Sequence, residues 1–91
     1  MGSFEILFKQ SVAKDLRQIP KKDVARILKR IEGLKTDPRP PGAEKLSGRE
    51  KYRIRQGVYR ILYEIQNEQL IVVVVKVGHR RDVYRIREKG A

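Results

Sequence analysis

The chain is predicted to fold as an α+β domain: an N-terminal strand, a helical hairpin, then a three-stranded antiparallel meander. Three observations predict it. Apolar residues recur at helical spacing between residues 12 and 34 and at period two from residue 51 onward. Pro20, Gly33, Pro38 and Gly57 fall at the boundaries of these stretches. The 91 residues are 40% hydrophobic, enough for one domain, 1–91, with a modest core.

Phe4-Glu-Ile-Leu-Phe8 reads as the first strand, with aromatic and branched residues around one acid. Ser11 is the expected N-cap of a first helix, its hydroxyl accepting from a free amide of the first turn. Val12, Leu16 and Ile19 follow at helical spacing, and Pro20 ends that pattern and can open the next helix. In the second helix Val24, Ile27, Leu28, Ile31 and Leu34 form one apolar stripe. Its basic residues Lys22, Arg26, Lys29, Arg30 and Lys35 lie elsewhere, on a solvated face. Gly33 and then Asp37-Pro38 stop it. Residues 36 to about 50 form a long connection without helix or strand signal, in which Leu46 is expected to pack inward. Gly48 then turns the chain into a hairpin.

Lys51, Arg53 and Arg55 alternate with Tyr52 and Ile54, which puts the cations on one face of a strand. Gln56-Gly57 marks the turn. In the returning strand, Val58 to Gln66, residues Val58, Arg60, Leu62 and Glu64 share one face and Tyr59, Ile61, Tyr63 and Ile65 the other. Arg60 is thus expected near Arg53 and Arg55. Guanidiniums so gathered repel one another and suit an anion, a phosphate above all. A solvated edge strand that deters aggregation is the competing reading. After an Asn67-Glu68 turn, the run from Leu70 to Val77 is apolar on both sides and should be central in the sheet, with Gly78 ending it. His79-Arg-Arg-Asp-Val-Tyr84 follows, and can meet the basic hairpin at one side of the sheet.

Lys plus Arg number 22 against 11 Asp plus Glu, a formal net charge of +11 at pH 7. Such an excess implies salt-sensitive attraction to a polyanion: nucleic acid, an anionic membrane or an acidic protein. Cysteine is absent and histidine single, which excludes a disulfide framework and makes a zinc site untenable. No basic region followed by an apolar run marks a signal peptide, and the longest apolar run is too short to span a bilayer. A cytoplasmic protein without membrane association is expected.

The stretch Tyr52-Arg-Ile-Arg-Gln-Gly-Val-Tyr-Arg-Ile-Leu-Tyr63, followed by Val72-Val-Val-Val-Lys-Val-Gly-His-Arg-Arg-Asp-Val-Tyr84, resembles the RelE branch of the RelE/ParE toxin superfamily. The similarity covers essentially the whole chain. It implies the toxin of a type II toxin–antitoxin pair, an endoribonuclease that enters the ribosomal A site and cuts the mRNA there. The RNA 2′-hydroxyl attacks the adjacent phosphate, with no metal or other cofactor. The implied partners are a RelB-like antitoxin, mRNA, the ribosome with its rRNA, and operator DNA only through the antitoxin complex. Carried over residue by residue, the basic pair falls on Arg53 and Arg55. The transition-state arginine falls on Arg60, the second arginine on Arg80 (or Arg81), and the C-terminal aromatic on Tyr84. Lys51, His79, Arg81 and Arg85 are the further residues expected to contact RNA.

Lysines stand in the best-studied pattern where this chain has Arg53 and Arg55. Arginine stabilises charge but cannot serve as a general base at useful pH. His79 and Tyr84 remain as proton-transfer candidates, with Asp82 orienting an arginine. Tyr84 can also stack a splayed base. A ParE-like toxin that binds DNA gyrase without cutting RNA is the alternative, and a binding module without catalysis the third.

Overall fold

The computed structural model describes residues 3–46 and 50–81. In order these form strand β1 (Glu5–Phe8), helices α1 (Gln10–Arg17) and α2 (Lys21–Glu32), and a 3-10 turn over Gly33–Lys35. Strands β2 (Glu44–Lys45), β3 (Lys51–Gln56), β4 (Tyr59–Gln66) and β5 (Ile71–His79) follow. The sheet order is β1-β5-β4-β3-β2, with β1 parallel to β5 and the other neighbours antiparallel. The α+β architecture is the expected one, with β5 central and β2 as an added edge strand.

The core lies between the helices and one sheet face. Val12, Ile27, Ile31 and Leu34 pack against Tyr52, Ile54, Ile61, Tyr63, Ile65, Val72, Val74 and Val77. Each fully buried aliphatic side chain contributes roughly 1.5–3 kcal/mol. That burial is what secures α1, whose eight residues are too few for a stable isolated helix. Leu28, expected in the stripe, is 40% exposed, whereas Ile27, Ile31 and Leu34 are buried in the core and Val24 is half-buried.

Several boundaries differ from expectation. Lys9 N–H still donates to Val74 O at 3.0 Å, and Lys9 O accepts from Val12 N–H at 2.9 Å. The N-cap is therefore Lys9, and Ser11 lies inside the first turn. Gly33 keeps right-handed backbone (φ −61°) and leads into the 3-10 turn that buries Leu34. Leu70 belongs to the turn before β5, with φ 57°, a left-handed conformation that costs a leucine about 1–2 kcal/mol. Its carbonyl accepts from Glu5 N–H at 2.8 Å and so ties β1 to the sheet. Gly78 does not end β5, which continues to His79. Leu46 is half-buried as expected, and Gly48 lies outside the described residues.

Two devices adjust β5. A bulge sets Leu62 opposite Lys76 but Tyr63 opposite Val74, leaving Val75 as the extra residue. Strict alternation from Val72 and Val74 would turn Lys76 and Gly78 inward; the bulge turns Val77 inward instead. Beyond the end of β1, Asp15 on α1 stands in for the missing strand. Its Oδ2 accepts from Val77 N–H at 3.1 Å and its Oδ1 from Lys76 Nζ at 2.8 Å.

At the opposite end of the sheet Arg39 clasps the long connection to the strands. Its Nε donates to Tyr52 Oη at 2.9 Å, its Nη2 to Glu50 Oε1 at 2.5 Å and to Asn67 Oδ1 at 3.0 Å. The Arg39 hydrogen bond, above all, holds the Glu50 carboxyl down at about 2, against an ordinary value near 4.5. A depressed folded-state pKa adds stability above the unfolded value and loses it as pH falls. The stability margin of wild type over Arg39→Ala should therefore be constant above about pH 4.5 and shrink towards pH 2. Thermal melts of both proteins across that range check this; a margin independent of pH contradicts it.

Candidate active site

The two-residue turn Gly57-Val58, with Gly57 at φ 61°, sets the register of the β3–β4 hairpin. Lys51 lies opposite Glu64, Arg53 opposite Leu62, and Arg55 opposite Arg60. All four basic residues fall on the sheet face away from the helices, as the alternation predicted. Arg55 and Arg60 are a direct cross-strand pair, an arrangement of like charges that destabilises a hairpin by about 0.2–1 kcal/mol.

Burial divides the arginines. Arg53 and Arg60 are 8% and 7% exposed, which is rare for arginine, whereas Arg55 is exposed. Arg60 Nη1 donates to Tyr59 O at 3.2 Å. Arg53 Nε donates to Glu44 Oε1 at 3.1 Å, and Arg53 Nη2 binds the same oxygen. Glu44 is opposite Arg53 in the β2–β3 register and keeps its own side chain 63% exposed. The sequence reading missed this carboxylate. Ala43, Glu44, Lys45 and Leu46 show no period-two alternation, so the sequence carries no strand signal there.

From β5, Gly78 lies opposite Arg60 and places no side chain there. Arg80 N–H donates to Val58 O at 3.0 Å, so its backbone sits beside the hairpin turn, and Arg80 and Arg81 are both exposed. Lys51 stands at the far end of the face, 3.7 Å from Glu64. His79 is not brought to the arginine face. It pairs with Tyr59 on the helix side, ring centroids 6.3 Å apart and edge-on, and its Nδ1 accepts from Arg81 N–H at 3.4 Å. Tyr59 Oη in turn donates to Asp23 Oδ2 of α2 at 3.5 Å, and burial together with the Asp23 charge pushes the Tyr59 phenol up. Tyr84, Arg85 and Asp82 lie outside the described residues.

The site therefore offers buried and exposed guanidiniums on one face, with a carboxylate at its edge. Such a face can bind a phosphate by charge-assisted hydrogen bonds and stabilise added negative charge on it. Among the described residues, no three or more His, Cys, Asp or Glu side chains gather where they could hold a metal ion. No helix among them is long and apolar enough to cross a membrane.

Known proteins share this arrangement of strands and helices. Residues 6–84 match the family described as the ParE toxin of the type II toxin–antitoxin system parDE. Toxin RelG of Mycobacterium tuberculosis is 31% identical over 86 residues, covering 90% of this chain and 97% of its own. Among solved structures, the archaeal RelE–RelB complex from Pyrococcus horikoshii superposes with a TM-score of 0.78 at 26% identity, over 86% of this chain and 96% of that one. A doubly substituted Escherichia coli toxin RelE in the free state gives 0.75 at 26% identity, over 93% of each chain. The family match across most of the length, the relatives and the shared fold agree: the chain belongs to the RelE/ParE superfamily of toxins of type II toxin–antitoxin systems, as a RelE-like member.

Proposed function

We propose that this toxin is a ribosome-dependent endoribonuclease that cuts mRNA through the substrate's own 2′-hydroxyl and so stops translation. The observation that carries the reading is the cross-strand pair Arg55 and Arg60, with Arg53 held by Glu44 two residues further along the same face. A free protein gains nothing from opposing two guanidiniums; a phosphate between them reverses the sign of that interaction.

The chemistry follows from these groups. The 2′-oxygen attacks the adjacent phosphorus, the P–O5′ bond breaks, and a 2′,3′-cyclic phosphate and a 5′-hydroxyl result. Arg55, Arg60 and Arg80 neutralise the charge that grows on the phosphoryl oxygens. Arginine cannot accept the 2′-hydroxyl proton, so the Glu44 carboxylate, oriented by Arg53, takes it. Tyr84 hands a proton to the departing 5′-oxygen and stacks on a base. His79, packed against Tyr59, has no part in the proton transfers. Lys51, Arg81 and Arg85 hold the RNA backbone.

The mRNA is met in the ribosomal A site, beside rRNA, in the cytoplasm. A net charge of +11 supports association with that polyanionic surface. Solved relatives in complex with RelB support a RelB-like antitoxin as the inhibitory partner. Operator DNA is reached only through that complex. Primer extension in a reconstituted translation system tests the reading. Cuts ending in a cyclic phosphate are expected within translated codons, and only with ribosomes. Intact mRNA together with inhibited gyrase supercoiling would overturn it.

A further inference from the structure

Behind the arginine face, on the helix side of the same hairpin tip, lies a cleft of about 240 Å³ lined by Asp23, Arg26, Gln56, Gly57, Val58 and Tyr59. It is smaller than the roughly 300–1,000 Å³ of sites for drug-sized ligands. Its residues are interleaved with those of the proposed cutting face. Gln56 follows Arg55 and Tyr59 precedes Arg60, so alternation sends one member of each pair to the phosphate side and the other to the cleft. Between them Gly57 leaves the rim open: a Cβ added there meets nothing within 4 Å.

The lining has the chemistry of a base reader. Tyr59 supplies an aromatic wall, backed edge-on by His79. Asp23 only accepts hydrogen bonds, Arg26 only donates, and Gln56 does both. The 3.5 Å contact from Tyr59 Oη is long, which leaves the Asp23 carboxylate available to a stronger donor. Two adjacent N–H donors beside a carbonyl match that set: a carboxylate takes both donors, while a guanidinium or amide donates to the oxygen. Guanine carries that edge. Adenine, cytosine and uracil each offer one donor group with acceptors beside it, and so pair less well with a carboxylate.

We propose that the cleft between the first turn of α2 and the β3–β4 hairpin tip is a nucleobase subsite that takes a guanine neighbouring the scissile phosphate. The proposal rests on the endoribonuclease reading for its biological use, but the site itself does not require cutting. An RNA strand with its phosphate on Arg55 and Arg60 rounds the tip over Gly57 and lays the next base against Tyr59. Asp23 and Gln56 then set which base is preferred, while the arginines do the chemistry.

Two measurements test it. The first adds each of the four nucleosides, which lack a phosphate for the arginine face, to the full chain and follows backbone amide NMR shifts. Guanosine should move Gln56, Gly57, Tyr59 and His79, at least about tenfold more tightly than the other three, and Asp23→Asn should abolish this. The second maps cut sites by primer extension. The guanine preference beside the cut should fall about tenfold in Asp23→Asn and in Gln56→Ala. Asp23 lies in the first turn of α2, where the amide replacement preserves shape, and Gln56→Ala is the independent check. If the wild-type chain cuts no RNA, the nucleoside titration alone decides, and guanosine-specific shifts still support the cleft. Absence of those shifts overturns the proposal, including the case where only a protein ligand perturbs the cleft. So does an active wild type whose cut-site preference survives both substitutions.

Discussion

Arg60→Ala is expected to slow mRNA cutting by about 100-fold or more while lowering the thermal midpoint only slightly. The first half follows from removing a buried charge-stabilising donor, a loss that costs on the order of 10²–10³ in rate where such donors face the developing charge. The second half follows from the register. Arg60 lies directly opposite Arg55, and truncation relieves a repulsion of about 0.2–1 kcal/mol that partly offsets the lost packing of its stem. Arg60→Lys keeps the charge but not the planar fork, and should fall between wild type and alanine. Single-turnover cleavage on programmed ribosomes, with a melt of each variant, gives both quantities. An alanine variant that cuts as fast as wild type would sink the role assigned to this face, whatever its stability.

Tyr63→Ala should cost about 3–5 kcal/mol, the largest stability loss expected of any single side chain here. Tyr63 is fully buried, stacks on Tyr52 with ring centroids 5.8 Å apart, and donates its hydroxyl to Pro38 O at 2.6 Å. Burial pushes its phenol up to about 12, so the hydroxyl remains a donor through the neutral range. Against a typical domain stability of about 5–15 kcal/mol, that loss removes a large part of the margin. Tyr63→Phe isolates the hydrogen bond. It leaves the Pro38 carbonyl, which is buried, without that donor, at about 1–3 kcal/mol. Because Pro38 anchors the connection that carries Glu44, this variant should also cut more slowly than its stability loss explains. Urea unfolding with unchanged slope measures the first effect. A phenylalanine variant as stable as wild type would show that the hydroxyl anchors nothing.

The two predictions draw on different kinds of information. Arg60 was legible early, because alternation over Lys51 to Arg55 and Val58 to Glu64 assigns every side chain to a face once a tight turn joins the strands. Tyr63 was legible as core by the same count, but its hydroxyl partner was not. Pro38 is 25 residues away, in a connection with no periodic pattern. Leu28 shows the converse: helical spacing admits it to the stripe, but in the folded chain it is 40% exposed while Ile27, Ile31 and Leu34 are buried.

Local chemistry in the sequence determined the elements, the hairpin, the cationic face and the family. All of these rest on residues near one another in the chain, where periodicity and turn preference act directly. Tertiary structure alone decided what that face is joined to. A two-residue strand brings Glu44 to Arg53, and a bulge within an unbroken valine run turns Lys76 and Gly78 outward. Asp15 closes the open edge of β5, and His79 is drawn to Tyr59 and away from the arginines. Those outcomes depend on which strand edges remain unpaired and how much room the core leaves, quantities that exist only after distant segments have met.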